Sequence, residues 1–123
     1  MNDTRRVFLT VAGTRYRFGN DVFRPGQRLR LVKEPDNAHD REAIRVEMEG
    51  LGLVGYVANS VGTRIGESWS AGRLYDKIGD TAKGKVIMIS GRGILCALKK
   101  DKNPAPEESE KNEEREEEDV LPE

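Results

Sequence analysis

Three stretches of this chain combine residue types that can bind phosphate or metal. Residues 50–55 read Gly50-Leu51-Gly52-Leu53-Val54-Gly55, the glycine spacing of a dinucleotide-binding turn. That chemistry needs a helix to begin there, so that its N-terminus meets the pyrophosphate. Tyr56 and Val57 follow instead, both β-formers, and 123 residues are too few for a doubly wound sheet. Residues 79–85 resemble a phosphate loop, Gly79 and Gly84-Lys85, but Val86 stands where a magnesium-binding hydroxyl is required. The run Val86-Ile87-Met88-Ile89 then reads as strand where that loop needs a helix. The acids Glu34, Asp36, Asp40 and Glu42 suggest a metal-dependent nuclease or a calcium loop. Their spacing fits no calcium-binding pattern, and Pro35-Asp36-Asn37 is turn chemistry. One His and one Cys cannot supply a four-ligand zinc site. The expectation is a protein without metal, cofactor or catalytic centre: not an enzyme.

The elements that must position any polar site are short and β-like. Val7, Leu9 and Val11 alternate with Phe8 and Thr10, which is strand periodicity. After the turn Pro25-Gly26, residues 28–33 place Leu29 and Leu31 on one face and Arg28 and Arg30 on the other. Ile44, Val46 and Met48 alternate with Arg45, Glu47 and Glu49, and a turn near Gly50 leads into residues 53–57. Those two strands form a hairpin, and residues 85–90 and 94–98, across Gly91-Arg92-Gly93, form a second. Asn59 or Ser60 can cap a short helix with Val61 and Ile65 on one face. Residues 73–78 fit a helix through Leu74 and Ile78 and fit an alternating strand equally well. Trp69 reads as a core or edge residue beside them. The fold expected is mainly β: a compact, OB-like β-barrel of five or six strands with one or two short helices.

Charge divides the chain. Residues 1–102 hold 19 Lys and Arg against 12 Asp and Glu, so this part carries about +7. Residues 103–123 hold 10 acids, two bases and three apolar residues, Ala105, Val120 and Leu121. Such a segment cannot bury enough apolar surface to offset its backbone entropy, and it is expected to stay unfolded. The domain is therefore placed at 1–102 and the acidic tail at 103–123. The near-neutral whole-chain value of −1 hides a basic domain beside an acidic tail, an arrangement suited to anionic partners. The tail can fold back on the domain and compete for such a partner, or serve only as a solubilising appendage. Cys96, alone in an apolar run, fits the core of a protein in a reducing compartment, and a cytoplasmic location is expected. Arg5-Arg6 begins like a twin-arginine export signal, but the apolar run after it stops at Gly13 with Arg15 and Arg17 beyond. No stretch approaches membrane-spanning length, and a monomer that avoids membranes is expected.

The most informative stretch is Lys33-Glu34-Pro35-Asp36-Asn37-Ala38-His39-Asp40-Arg41-Glu42-Ala43-Ile44-Arg45-Val46, followed by Val54-Gly55-Tyr56-Val57. It resembles the core of the HIRAN domain, which reads roughly as a basic residue, an acid-Pro pair, Asn, an aromatic-Asp pair, Asn/Glu-Ala-Ile-x-Val, then Val-Gly-Tyr/His. The resemblance extends from about Val7 to Leu98. HIRAN domains occur fused to chromatin-remodelling helicases and nucleases, and also alone, the arrangement expected here. The resemblance implies an OB-like barrel that binds single-stranded DNA and takes a free 3′ end in a pocket, in a DNA-repair setting. The positions it implies are Arg15 and Tyr16 in the first loop, Asn37, His39 and Asp40 in the central loop, and Tyr56 in the hairpin. At His39 the sequence departs from the tyrosine of the end-binding members, and imidazole stacks over less area.

The chemistry of these residues is compatible with that role. Tyr16 offers a base a flat face, and Arg15 can meet a phosphate, with Arg17, Arg24, Arg28 and Arg30 extending a basic track. Asp40 can accept a hydrogen bond from a sugar hydroxyl, and Asn37 can donate and accept beside it. Each residue also has a plainer reading. Tyr56 can pack the barrel, Asp40 can close its own turn, and His39 can be a surface residue. The main alternative function is a protein-interaction module whose basic face docks an acidic partner; a weaker one is an accessory nuclease or phosphatase using Asp36 and Asp40.

Overall fold

A computed structural model describes residues 6–99 of the chain. Residues 103–123, expected to stay unfolded, and Arg5 of the twin-arginine pattern lie outside the described residues. Six strands run in the order β1 (Phe8–Ala12), β2 (Arg28–Lys33), β3 (Ile44–Met48), β4 (Gly52–Val57), β5 (Thr81–Ser90) and β6 (Gly93–Leu98). They close into a barrel with the neighbour order β1-β4-β3-β2-β5-β6, every pairing antiparallel. The fold is mainly β, and closure removes the sheet edges that would otherwise invite pairing with another chain. Among the described residues no helix is long and apolar enough to cross a membrane.

The alternation read from the sequence is the alternation of burial. Leu29 and Leu31 on β2, and Ile44, Val46 and Met48 on β3, point inward, while Arg28 and Arg30 face out. Leu9, Val11, Val54, Val86, Ile94 and Cys96 complete the interior. Burial pushes the Cys96 thiol up to about 12, so it is an inert apolar filler. The glycines of 50–55 lie in and beside a hairpin, and residues 81–90, including Gly84-Lys85, are continuous strand.

One end of the barrel is closed by the connection between β4 and β5. The only α-helix among the described residues, α1 (Ala71–Tyr75), is capped by Ser70, whose hydroxyl accepts from the Arg73 N–H at 3.2 Å. It drives Leu74 and Ala71 into the core. Of the two readings of residues 73–78 the helical one therefore holds, and it ends in a turn that buries Ile78. Trp69 is partly buried, paired with Leu9 through an isolated parallel bridge, with the Arg73 guanidinium 3.7 Å from its ring centre.

The expected helix after Asn59 is absent. Residues 60–64 form one turn in which the Thr63 and Arg64 N–H groups both donate to the Ser60 carbonyl. The next donor, the Ile65 N–H, goes to the hydroxyl of Thr10, and Gly66 takes a φ of +53°. A helix here would have buried Val61 beside Ile65, but Val61 is 77 % exposed and has no apolar face to join. The tertiary bond to buried Thr10 outweighs a weak local preference.

One irregularity shapes the wall that faces the candidate site. Between β3 and β4 the register shifts, so that Val46 pairs with Gly55 but Glu47 with Leu53, and Val54 is the extra residue. Gly55 is then buried at a very close approach: an added Cβ would lie 2.7 Å from Val11 Cγ1 and 2.8 Å from the Ala12 carbonyl oxygen. Gly84, by contrast, would meet the Ala97 carbonyl oxygen only at an ordinary 3.5 Å. Gly55→Ala should therefore cost roughly 1–3 kcal/mol, the range for overpacking a core. Gly84→Ala should stay near wild type, and chemical-denaturation midpoints of the two variants measure the contrast.

Candidate nucleic-acid interface

The first element of the site is the 3₁₀ turn Thr14–Tyr16 that follows β1. Gly13, at φ +74°, turns the chain out of the strand, and Thr14 is buried where it packs against β4. This leaves Arg15 and Tyr16 in solvent. Tyr16 is 74 % exposed, so its ring faces solvent. The Arg15 guanidinium donates to the Tyr16 hydroxyl at 2.9 Å and lies 5.0 Å from the ring centre, which ties the two side chains together.

Both residues line an open groove of about 680 Å³. Its other walls include Asn20, Thr63 and Arg92, and its floor is rich in glycine, at Gly13, Gly19, Gly62, Gly91 and Gly93. A Cβ at Gly13, Gly19 or Gly91 would meet nothing within 4 Å, so these backbones face open space. The groove thus offers one aromatic face, two guanidinium groups and unshielded backbone.

The second element is the loop joining β2 to β3. Asn37 organises it: its side-chain oxygen accepts from the N–H groups of His39 at 2.8 Å and Asp40 at 3.0 Å. Its amide donates to Glu34 at 3.0 Å. Asp40 in turn accepts from the Glu42 N–H at 2.9 Å and from the side chain of Asn59 at 3.3 Å. Asn59 also receives the Gly72 N–H, which ties the loop to the start of α1. The turn inferred at Pro35-Asp36-Asn37 is present, with the Asn37 N–H on the Glu34 carbonyl. Asp36 and the His39 side chain are exposed. Among the described residues no group of three or more His, Cys, Asp or Glu side chains is placed to hold a metal ion.

Glu34 is the hub that joins this loop to the hairpin. The Tyr56 hydroxyl lies 2.9 Å from Oε1 and 3.1 Å from Oε2 of its carboxylate, to which it donates, and Arg45 Nη1 lies 3.3 Å from Oε2. Burial opposes ionisation of Glu34. The hydrogen bonds from Asn37 and Tyr56, with the Arg45 charge, outweigh burial and hold the carboxyl below its usual range. Tyr56 is shifted up, by burial first and then by its bond to Glu34 and the charge of Glu34. Arg45 and Arg17 oppose that shift, so the charge of Arg17, one residue past the 3₁₀ turn, is felt at the Tyr56 hydroxyl.

The six positions inferred from the sequence fall into two groups. Asn37, Asp40 and Tyr56 belong to one hydrogen-bonded cluster through Glu34, with His39 joined to it by its backbone alone. Arg15 and Tyr16 stand in the groove, and the hydrogen bond they make there is with each other. Four residues beyond the six matter here. Glu34 and Arg45 stood in the recognised stretch, but an acid beside a proline reads as turn chemistry. Arg92 sits in a hairpin turn with no local signal. Phe18, half exposed, ends the run Arg15-Tyr16-Arg17-Phe18, in which cations and aromatics alternate.

The fold is a small closed antiparallel barrel. The family model for the HIRAN domain matches residues 5–87, and the chain belongs to that family, which is associated with DNA binding. None of the curated protein sequences compared with it matches significantly. Its fold is similar to the crystal structure of a structural-genomics target protein from Lactobacillus plantarum. That likeness has a TM-score of 0.54 at 22 % identity and covers 76 % of this chain and 93 % of the other.

The ionised Glu34 gives the cluster a pH signature. A carboxyl held below its ordinary value of 4.5 in the folded state stabilises the fold fully above that value, and the contribution is lost as pH falls through the folded-state pKa. Thermal unfolding of wild type and Glu34→Gln should therefore differ most above pH 4.5, and the gap should close at lower pH. A gap independent of pH would mean that Glu34 acts by shape and not by charge.

Proposed function

We propose that this HIRAN domain binds single-stranded DNA along the groove of Arg15, Tyr16 and Arg92, and takes a free 3′ end at the loop of Asn37, His39 and Asp40. The observation that carries the reading is Tyr16, an exposed aromatic ring held by an arginine at the mouth of a cationic, glycine-floored groove. Stacking is worth about 1–3 kcal/mol per base and tolerates any base, while Arg15 and Arg92 meet the phosphates. Open glycine backbone lets a strand approach closely. In the loop, Asp40 already holds the turn, yet its 3.3 Å bond to Asn59 is long and leaves carboxylate lone pairs for a terminal hydroxyl. A carboxylate accepts from a hydroxyl and repels a phosphate, so it favours a terminus over the interior of a strand. The domain then acts by binding, without ATPase or nuclease turnover. A second reading, docking of an acidic protein partner, is supported by the outward cations of β2 and β5.

Fluorescence anisotropy with one oligonucleotide, ended in a 3′ hydroxyl or a 3′ phosphate, separates the parts of this reading. Tyr16→Ala should weaken both about 5- to 150-fold, the equivalent of one lost stack. Wild type should prefer the hydroxyl end about 10- to 100-fold, the worth of a hydrogen bond to a charged acceptor. Asp40→Asn, which keeps an acceptor for the Glu42 N–H, should reduce that preference. Equal binding of the two oligonucleotides by wild type would remove the end-recognition half, and unchanged binding by Tyr16→Ala would remove the groove.

A further inference from the structure

The outer face of β2 and β5 has an arrangement that the sheet alone does not favour. In the barrel register Arg28 lies directly opposite Lys85, and Arg30 directly opposite Lys83. All four side chains point outward, because Leu29, Leu31, Gly84 and Val86 occupy the buried positions between them. Like charges directly opposite on antiparallel strands destabilise the pair, and these two pairs are adjacent on one face. Lys99 extends the patch, since its N–H donates to the Lys83 carbonyl at 2.8 Å. Among the described residues the carboxylate that answers this patch is Glu47, 3.3 Å from Arg30, whose side chain is 61 % exposed. Such an open pair is worth little. In the ring of strands β2 and β5 lie across the barrel from β1 and β4, so this patch is separate from the wall that carries Tyr56.

We propose that this ladder of cations is the docking face for the chain's own acidic segment, residues 103–123. Charge is the first argument: ten acids against two bases face a patch of five cations with one neighbouring carboxylate. Position is the second. The segment begins four residues after Lys99, which is hydrogen-bonded into the patch at Lys83. Its first acid, Glu107, is eight residues further on, a span of up to about 26–29 Å when extended, enough to reach every cation of the ladder. Spacing is the third. Outward residues on one strand repeat at roughly 6.6–6.8 Å, and so would the alternate carboxylates Glu114, Glu116 and Glu118 along an extended run. A tethered segment meets the ladder at millimolar effective concentration, which an acidic partner or a nucleic acid in free solution must exceed. The segment thus reserves this face and leaves the groove of Tyr16 as the open one.

Paramagnetic relaxation on the full chain tests this. Cys96 is buried with its thiol pushed up to about 12, so a nitroxide can be attached selectively at Ser109→Cys. At about 0.01 M salt, where charges act over about 30 Å, amide signals of residues 28–31 and 82–85 should be selectively lost. They should return at about 1 M salt, where that reach is about 3 Å, and in the double variant Lys83→Glu, Lys85→Glu. That variant turns both facing pairs into opposite charges, so the sheet itself does not suffer. Signal loss spread evenly over the barrel, loss concentrated at Arg15 and Arg92, or loss on β2 and β5 that survives the double variant would each overturn the proposal.

Discussion

The single extra residue at Val54 governs much of what this barrel presents to solvent. Because β4 carries one residue more than β3 across that step, Val54 and Gly55 are both buried, and the alternation restarts one residue late. Tyr56 is thereby sent to the outer face beside Arg45, and Val57 returns to the core beside Val11. Strict alternation from Val54 would have put the tyrosine inside and left its hydroxyl without water. The same step makes Gly55 obligatory, since the space for a side chain is already filled by Val11 and the backbone of Ala12. The 3₁₀ turn with Arg15 and Tyr16 can lie close over β4 only because of that glycine. One irregularity in register thus places both the hairpin tyrosine and the first loop.

Around Tyr56 the polar groups are arranged as a closed circuit. Glu34 receives three side chains, Asn37 fixes the loop through two backbone N–H groups, and Asp40 ties the loop to Asn59 and so to the helix. A carboxylate in a basic domain is tolerated because its partners are all donors and are themselves held by strands or turns. The circuit fixes the loop backbone and leaves the side chains of Asp36 and His39 exposed, with no hydrogen bond among the described residues. The groove is built on the opposite logic. Its glycines expose backbone, Arg15 and Tyr16 are held by each other, and Arg92 donates to the Arg64 carbonyl at 3.5 Å.

The two cationic surfaces also differ in kind. Arg15 and Arg92 border a concave, aromatic-lined space, which rewards a flat and flexible ligand. The β2–β5 ladder is a strand-paired face whose charges repeat at a fixed spacing, which rewards an extended anionic chain. Basic composition alone does not separate these two environments.

How much of this was legible in the sequence follows from the range of the forces involved. Alternation of apolar residues is local, so the positions of β2 and β3 were readable residue by residue, as were both hairpins and the inward faces. Turn chemistry is equally local, and it was enough to dismiss the glycine patterns and to place the Pro35-Asp36-Asn37 turn. Residue types around the central loop, through their resemblance to the HIRAN core, pointed to the family. Decisions that depend on distant partners were out of reach. The helix expected after Asn59 lost to a bond from Ile65 to Thr10, 55 residues away. Whether residues 73–78 were helix or strand turned on the barrel end that Leu74 plugs. Tyr56 could be core or site until the Val54 bulge fixed its face, and Glu34 looked like a turn acid until Tyr56 and Arg45 met it. The sequence by itself determined which residues prefer burial, where the chain turns and how its charge divides. Tertiary structure alone decided which polar side chains meet, because a one-residue change of register moves a side chain from one face of a sheet to the other.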